Sequence, residues 1–170
     1  HRPHVILKRS LDFDHGIRQF DLNLVARDRG TPPHQTNTTL SIFIDDVDDL
    51  PPTFTQEVYY TKVKEFFSIT GKSIHKALKI DPPIEAYDQD SLNSTLVYSI
   101  VGGNEREVFW MHATTGVLYL KKEIDLEGES LPDNTFVLQI DVKQKNDPLK
   151  RAMARVEIEI IDINDNQPEF

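Results

Sequence analysis

Five segments of this chain recur at a nearly fixed spacing, and that repeat constrains the fold more than any other feature of the sequence. Leu40-x-Ile42-x-Ile44 returns as Val156-x-Ile158-x-Ile160, a step of 116 residues from 40 to 156. Phe20-x-Leu22-x-Leu24 returns at the same step as Phe136-x-Leu138-x-Ile140. So does Asp46-Val47-Asp48-Asp49, as Asp162-Ile163-Asn164-Asp165, and Pro52-Thr53-Phe54, as Pro168-Glu169-Phe170. Leu11-Asp12-Phe13-Asp14 returns as Ile124-Asp125-Leu126-Glu127, from 11 to 124, which places a three-residue insertion around Gly128 to Asn134.

The repeated runs alternate with period two. Phe136, Leu138, Ile140 and Val142 share one face, and Val137, Gln139, Asp141 and Lys143 share the other, as in a half-buried strand. The same reasoning predicts strands over Val58 to Val63, Ile74 to Ile80, Thr95 to Ile100, Val117 to Leu120 and Ala152 to Ile161. Gly102-Gly103, Thr115-Gly116 and Arg29 to Pro33 supply turns. Helical periodicity is poor throughout. Several short strands with turns between them predict an all-β fold, a Greek-key β-sandwich of immunoglobulin-like type in tandem copies. Residues 1–50 match only the last part of the repeat, so they are expected to be the C-terminal part of one copy, truncated at its start. Residues 51–170 are expected to form a complete copy that ends in a linker. Phe109, Trp110, Tyr98 and Tyr119 are expected in strands and core.

Composition excludes several functions. With 28 acidic and 19 basic residues the net charge is −9, which repels nucleic acid and anionic membranes. The chain has no cysteine, which removes disulfide scaffolds, thiol nucleophiles and cysteine–zinc sites together. The six histidines are scattered, and no Ser-His-Asp or phosphate-loop pattern occurs. Paired carboxylates could serve a glycosidase, but that chemistry needs one acid in an apolar setting across a cleft, and these lie in polar strings. No enzyme is expected. No stretch reaches the ~18 apolar residues that span a bilayer. Asn37-Thr38-Thr39 and Asn93-Ser94-Thr95 are acceptor motifs for N-glycosylation at Asn37 and Asn93.

Each repeated strand pair runs into an acidic stretch. Asp and Asn side chains and main-chain carbonyls are hard oxygen donors, and calcium takes six to eight of them at 2.3–2.6 Å. Clustered carboxylates repel one another unless a cation joins them.

The repeat, with its closing Asp162-Ile163-Asn164-Asp165-Asn166 and the Asp125-x-Glu127 pair, resembles the cadherin superfamily over nearly the whole chain. The resemblance favours a long protocadherin-, Fat- or cadherin-related type. It implies calcium ions at the linkers between repeats. At the C-terminal linker it implies ligands from Glu65, Asp125, Glu127, Asp162, Ile163, Asn164, Asp165 and Asn166. At the inter-repeat junction it implies Asp12, Asp14, Asp46, Asp48, Asp49 and the Leu50 carbonyl, then Asp88, Asp90 and Asn93. There the pattern is degraded: Asp14 stands where the family has glutamate, and Gln144 replaces a later aspartate. Weaker or fewer ions are expected at that junction. In the first copy the position of Gln144 is Asp28, facing an upstream linker. The segment from Glu65 to Ala86 is longer than the family norm.

The resemblance further implies calcium-dependent cell–cell adhesion by a rod-forming extracellular segment on the cell surface. The partners would be other cadherin molecules, homophilic or heterophilic, with the membrane anchor of the parent protein outside this chain. Two alternatives stay open: a spacer or mechanical element with a calcium-poor flexible linker, and a receptor ectodomain for a separate ligand.

Overall fold

A computed structural model of the chain describes residues 4–65, 76–90, 92, 94–124 and 132–162. The chain divides into two compact units, His1–Asp49 with Asp90–Leu92, and Leu50–Gln89 with Asn93–Phe170.

In the first unit β1 (Gln19–Arg27) pairs antiparallel with β2 (Gln35–Phe43). Phe20 stands opposite Ile42 and Leu22 opposite Leu40. All four are half-buried, and Phe20, Leu22 and Ile42 line an open apolar groove with Ile6 and Leu11. The loop between the strands is closed by the Asp28 N–H, which donates to the His34 carbonyl at 3.0 Å.

The second unit contains β3 (Thr53–Phe54), β4 (Val58–Lys64), β5 (Lys76–Ala77), β6 (Ala86–Tyr87), β7 (Leu96–Gly102), β8 (Phe109–Met111), β9 (Leu118–Leu120), β10 (Thr135–Gln144) and β11 (Arg151–Ile161). One sheet has the order β4-β11-β10-β7, another β5-β9-β8, and β3 pairs with β6. All these pairs are antiparallel except β4 with β11, which is parallel. The register of the first unit reappears 116 residues on: Phe136 faces Ile158 and Leu138 faces Val156. The loop closure repeats too, since the Gln144 N–H donates to the Lys150 carbonyl at 3.1 Å.

Alternation decides what is buried. Leu138, Ile140, Val142, Val156 and Ile158 of the four-stranded sheet are fully buried, and so are Leu118 and Leu120 of the three-stranded one. Phe109 meets Phe136 edge-on, with ring centres 5.1 Å apart, which joins the two sheets through a common core. Each aliphatic side chain buried this fully contributes about 1.5–3 kcal/mol relative to exposure. Buried hydroxyls keep partners: Tyr98 Oη accepts from the Ala86 N–H at 3.0 Å, and Tyr59 donates to the Glu85 carbonyl at 3.0 Å. Desolvation raises the Tyr98 phenol above its ordinary pKa. The fold is all-β, a β-sandwich, as the alternation implies. Its one described helical element is the single 3-10 turn Pro132–Asn134.

Three expectations need correction. Trp110 is not a core residue: it is 45% exposed and stacks on Tyr119, its cross-strand partner. It follows Phe109 in β8, so the pleat that buries one turns the other outward. Tyr119 itself is half-buried. The strand expected over Ile74 to Ile80 is paired only at Lys76–Ala77. Ile74 lies outside the described residues, and Leu78 keeps one bond, to the Leu118 carbonyl at 2.8 Å. Pro82 and Pro83 follow, and neither has an N–H to extend a ladder. Asp141, expected on the open face, is buried and bonded by the Arg151 Nε at 3.1 Å.

Candidate metal centre

The acidic run after β2 inherits the geometry of the strand. Ile44 N–H donates to the Arg18 carbonyl at 3.0 Å, one step beyond the assigned strand end. The alternation of exposure continues further. Ile42, Ile44, Asp46, Asp48 and Leu50 are half-buried, while Phe43, Asp45, Val47 and Asp49 are exposed. Period two therefore carries Asp46 and Asp48 on the side of the chain that began as the apolar face.

Asp12 and Asp14 come from a tight turn. Asp12 Oδ1 accepts from the backbone N–H of Asp14 at 3.0 Å and of His15 at 3.1 Å, the side-chain-capped turn that aspartate favours. Gly16 closes it with an N–H to the Phe13 carbonyl at 3.1 Å, in the left-handed region at φ 87° that suits glycine. His15 Nδ1 lies 2.7 Å from Asp12 Oδ2. The His15 N–H is the largest influence holding the Asp12 carboxyl below its ordinary pKa. Asp14 moves the other way. Desolvation raises its pKa, and the negative charges of Asp46, Asp49 and Asp12 raise it further.

Within the first unit Asp14, Asp46 and Asp90 converge: one carboxylate oxygen from each lies within 4.8 Å of the other two. Asp90 is buried, at 2% exposure. Two oxygens bound to one calcium at 2.3–2.6 Å can be no more than about 5 Å apart, so this spacing suits a shared ion. All three donors are hard carboxylate oxygens, which select calcium or magnesium over zinc or copper. The negative charges of Asp46, Asp49 and Asp12, which add to desolvation in raising the Asp14 pKa, are a repulsion that a cation would offset. The residues present fit calcium.

In the second unit Asp88 is held differently. The Ser94 N–H donates to its Oδ2 at 2.6 Å. The Gln144 Nε2 lies 3.3 Å from Oδ1 and 3.3 Å from Oδ2, and 3.4 Å from the Leu50 carbonyl oxygen. Gln144 is 1% exposed and Asp88 9%. Next to Asp88, Gln89 donates to the Pro51 carbonyl at 2.7 Å. In the first unit the repeat equivalent of Gln144 is Asp28. Asp28 Oδ1 accepts from the N–H groups of Gly30 and His34, both at 2.9 Å. These bonds, that from Gly30 first, lower its carboxyl pKa.

At the other end of the second unit, β4 and β11 run parallel with Lys64 beside Ile161. The Glu65 N–H extends that ladder to the Ile161 carbonyl at 3.0 Å, which brings Glu65 and Asp162 to the same sheet end. Glu65 is buried, at 4% exposure, and Asp162 is exposed. Asp125, Glu127, Ile163, Asn164, Asp165, Asn166 and Asn93 lie outside the described residues. Asn37 is exposed on β2, where a glycan could be accommodated.

Sequence reasoning missed His15, Ser94 and the donor role of Gln144. The Asp12-x-x-His15 spacing was available as a turn signal. A backbone N–H such as that of Ser94, or the sense of an amide, leaves no mark in the sequence.

Residues 78–161 match the cadherin domain family. Cadherin-89D of Drosophila melanogaster is 60% identical over 170 residues, which is 100% of this chain and 8% of that protein. Protocadherin Fat 2 of Mus musculus is 32% identical over 150 residues, 88% of this chain and 3% of that protein. The chain thus spans less than a tenth of either relative. Among solved structures, Protocadherin Gamma B7 extracellular cadherin domains 1-4 superimposes with a TM-score of 0.74 at 26% identity, covering 95% of this chain and 36% of that one. With a relative 60% identical over the whole length of this chain, the chain belongs to the cadherin superfamily.

Proposed function

We propose that this chain is a calcium-dependent segment of a cell–cell adhesion protein, acting outside the cell as part of a rod of tandem repeats. The observation that carries the reading is the convergence of Asp14, Asp46 and Asp90. Three carboxylates this close are costly without a cation, and extracellular modules hold calcium with affinities of roughly 0.1–1 mM. Calcium held by Asp14, Asp46 and Asp90 would offset most of their charge and fix the turn at Asp12–Gly16 against the acidic run after β2. Its role is structural: it supplies charge and coordination, and no bond is made or broken. We assign Asp12, Asp48, Asp49 and the Leu50 carbonyl to the same junction, and Glu65, Asp125, Glu127 and Asp162 to Asn166 to a second linker at the C-terminal end. Stiffening of these junctions by calcium is the mechanical consequence. Residues 1–50 then close one repeat and 51–170 form the next. The partners are other cadherin molecules, and the parent protein is anchored at the cell surface.

The experiment is calcium titration of the chain by calorimetry, beside aggregation of beads coated with it. The reading requires calcium uptake near millimolar concentration, a lower stoichiometry or affinity in Asp46→Asn with the C-terminal linker still binding, and aggregation that EGTA reverses. Absence of calcium heat would refute the metal site. Calcium binding without aggregation would leave the segment a spacer and refute adhesion by this part.

A further inference from the structure

The Gln144 carboxamide stands where three acceptors meet. Its Nε2 is 3.3 Å from both Asp88 oxygens and 3.4 Å from the Leu50 carbonyl, all inside the second unit. An NH2 group has two hydrogens to share among three acceptors, so the bonds are long. Three oxygens converging on one point is also part of the surrounding of a bound cation. The sense of the amide follows from its neighbours: an ionised carboxylate and a carbonyl only accept, so Oε1 in that place would face three acceptors.

We propose that Gln144 is a placeholder for a divalent cation: its NH2 group fills the space between Asp88 and the Leu50 carbonyl, holds the second unit together there without metal, and must be displaced before Asp88 can bind an ion. That the competitor is calcium rests on the function proposed above. The hydrogen-bonded node itself stands without it.

The internal repeat shows what the substitution exchanges. The equivalent residue is Asp28, on the same backbone, with its N–H closing the same loop. Asp28 is exposed and its carboxylate is held by the N–H groups of Gly30 and His34. The strand end therefore tolerates a carboxylate. At Gln144 a carboxylate would be buried against Asp88, and the pair would have to take up a proton or a cation.

Gln144→Glu tests this by replacing the NH2 with an oxygen at nearly constant shape. In EGTA the variant should melt about 5 °C or more below the native chain, and calcium should restore it. Its calcium affinity should exceed the native value at least ~10-fold, or its stoichiometry should rise by one ion. Equal melting in EGTA, or unchanged calcium binding, overturns the proposal. A measurement on the native chain needs no variant to fold: in EGTA the two Gln144 side-chain NH protons should exchange slowly with solvent, and fast exchange overturns the node. If native calcium binding is absent while Gln144→Glu is still destabilised in EGTA, the calcium reading of the Asp14, Asp46 and Asp90 cluster fails and the placeholder node survives.

Discussion

The Gln144 side-chain nitrogen bridges both carboxylate oxygens of Asp88 at 3.3 Å each. The same carboxylate accepts the Ser94 N–H at 2.6 Å, so Asp88 serves donors from two parts of the second unit. Removing it takes the carboxylate acceptor from both, and a buried donor that loses its acceptor costs about 1–3 kcal/mol. Asp88→Ala should therefore lower stability in EGTA by roughly 2–4 kcal/mol. Trp110 is the single tryptophan and lies in this unit, so its fluorescence in a urea titration reports the loss. A midpoint within error of the native one would mean that Asp88 is not a structural node.

Asp12 and Asp14 are two residues apart, yet their carboxyls are pushed in opposite directions. Bonding to His15 lowers Asp12, whereas desolvation and then the charges of Asp46, Asp49 and Asp12 raise Asp14. In EGTA, Asp14 should titrate above 3.8 and Asp12 below it, which carbon-detected NMR of the two carboxyls can resolve. The linkage has opposite signs. For Asp14 the folded state binds the proton more tightly, so its contribution is favourable below 3.8 and is lost as pH rises through the higher folded value. For Asp12 the favourable contribution is present above 3.8 and is lost as pH falls through the lower one. Asp14→Asn should consequently slow amide exchange in the Asp12–Gly16 turn at pH 7 in EGTA and should weaken calcium binding. Faster exchange in the variant would contradict the repulsion.

What the sequence could reveal depended on length of pattern. β10 and β11 span ten and eleven residues, long enough for period two to be unmistakable, and their register copies that of β1 and β2. β3, β5 and β6 have two residues each, too few to alternate, and the pairing of Thr53 with Tyr87 follows from tertiary packing alone. Trp110 was misplaced because aromatic character says how much surface a residue can bury, not which side of the pleat it occupies. At the site, the repeat marked the runs that hold Asp14 and Asp46, and the resemblance to the cadherin superfamily implied Asp14, Asp46 and Asp90 as ligands. Their convergence needed the turn at Gly16 and the strand-like exit from β2. Gln144 was readable as a lost carboxylate, but its role as a donor required seeing three acceptors around it.

Leu138 and Val137 are adjacent in β10 on opposite faces, at 0% and 45% exposure. Leu138→Ala should cost about 2–5 kcal/mol, because the lost contacts add to a cavity that the surrounding sheets cannot close. Val137→Ala should cost about 1 kcal/mol or less, chiefly through strand preference. Urea unfolding followed at Trp110 gives both values. Comparable losses would mean that the alternation does not define the core.

Gly103 follows the end of β7, at φ 76°, where a side chain is strained in any surroundings. Its surroundings are also closed: an added Cβ would overlap the Val137 carbonyl oxygen. That oxygen belongs to the backbone of β10 and cannot rotate away, so relief requires moving a strand of the main sheet. Gly116 has a similar φ of 69°, but an added Cβ there would meet its nearest atom, the Ile84 carbonyl oxygen, at 3.0 Å, which a small shift can ease. Both alanine variants carry the conformational cost, of order 1 kcal/mol, and only Gly103→Ala adds the full overlap. Gly103→Ala should accordingly lose roughly 3 kcal/mol or more and Gly116→Ala about half of that, measured by the same fluorescence titration. If the two losses were equal, left-handed strain would account for both, and the close approach of Gly103 to β10 would have no energetic weight.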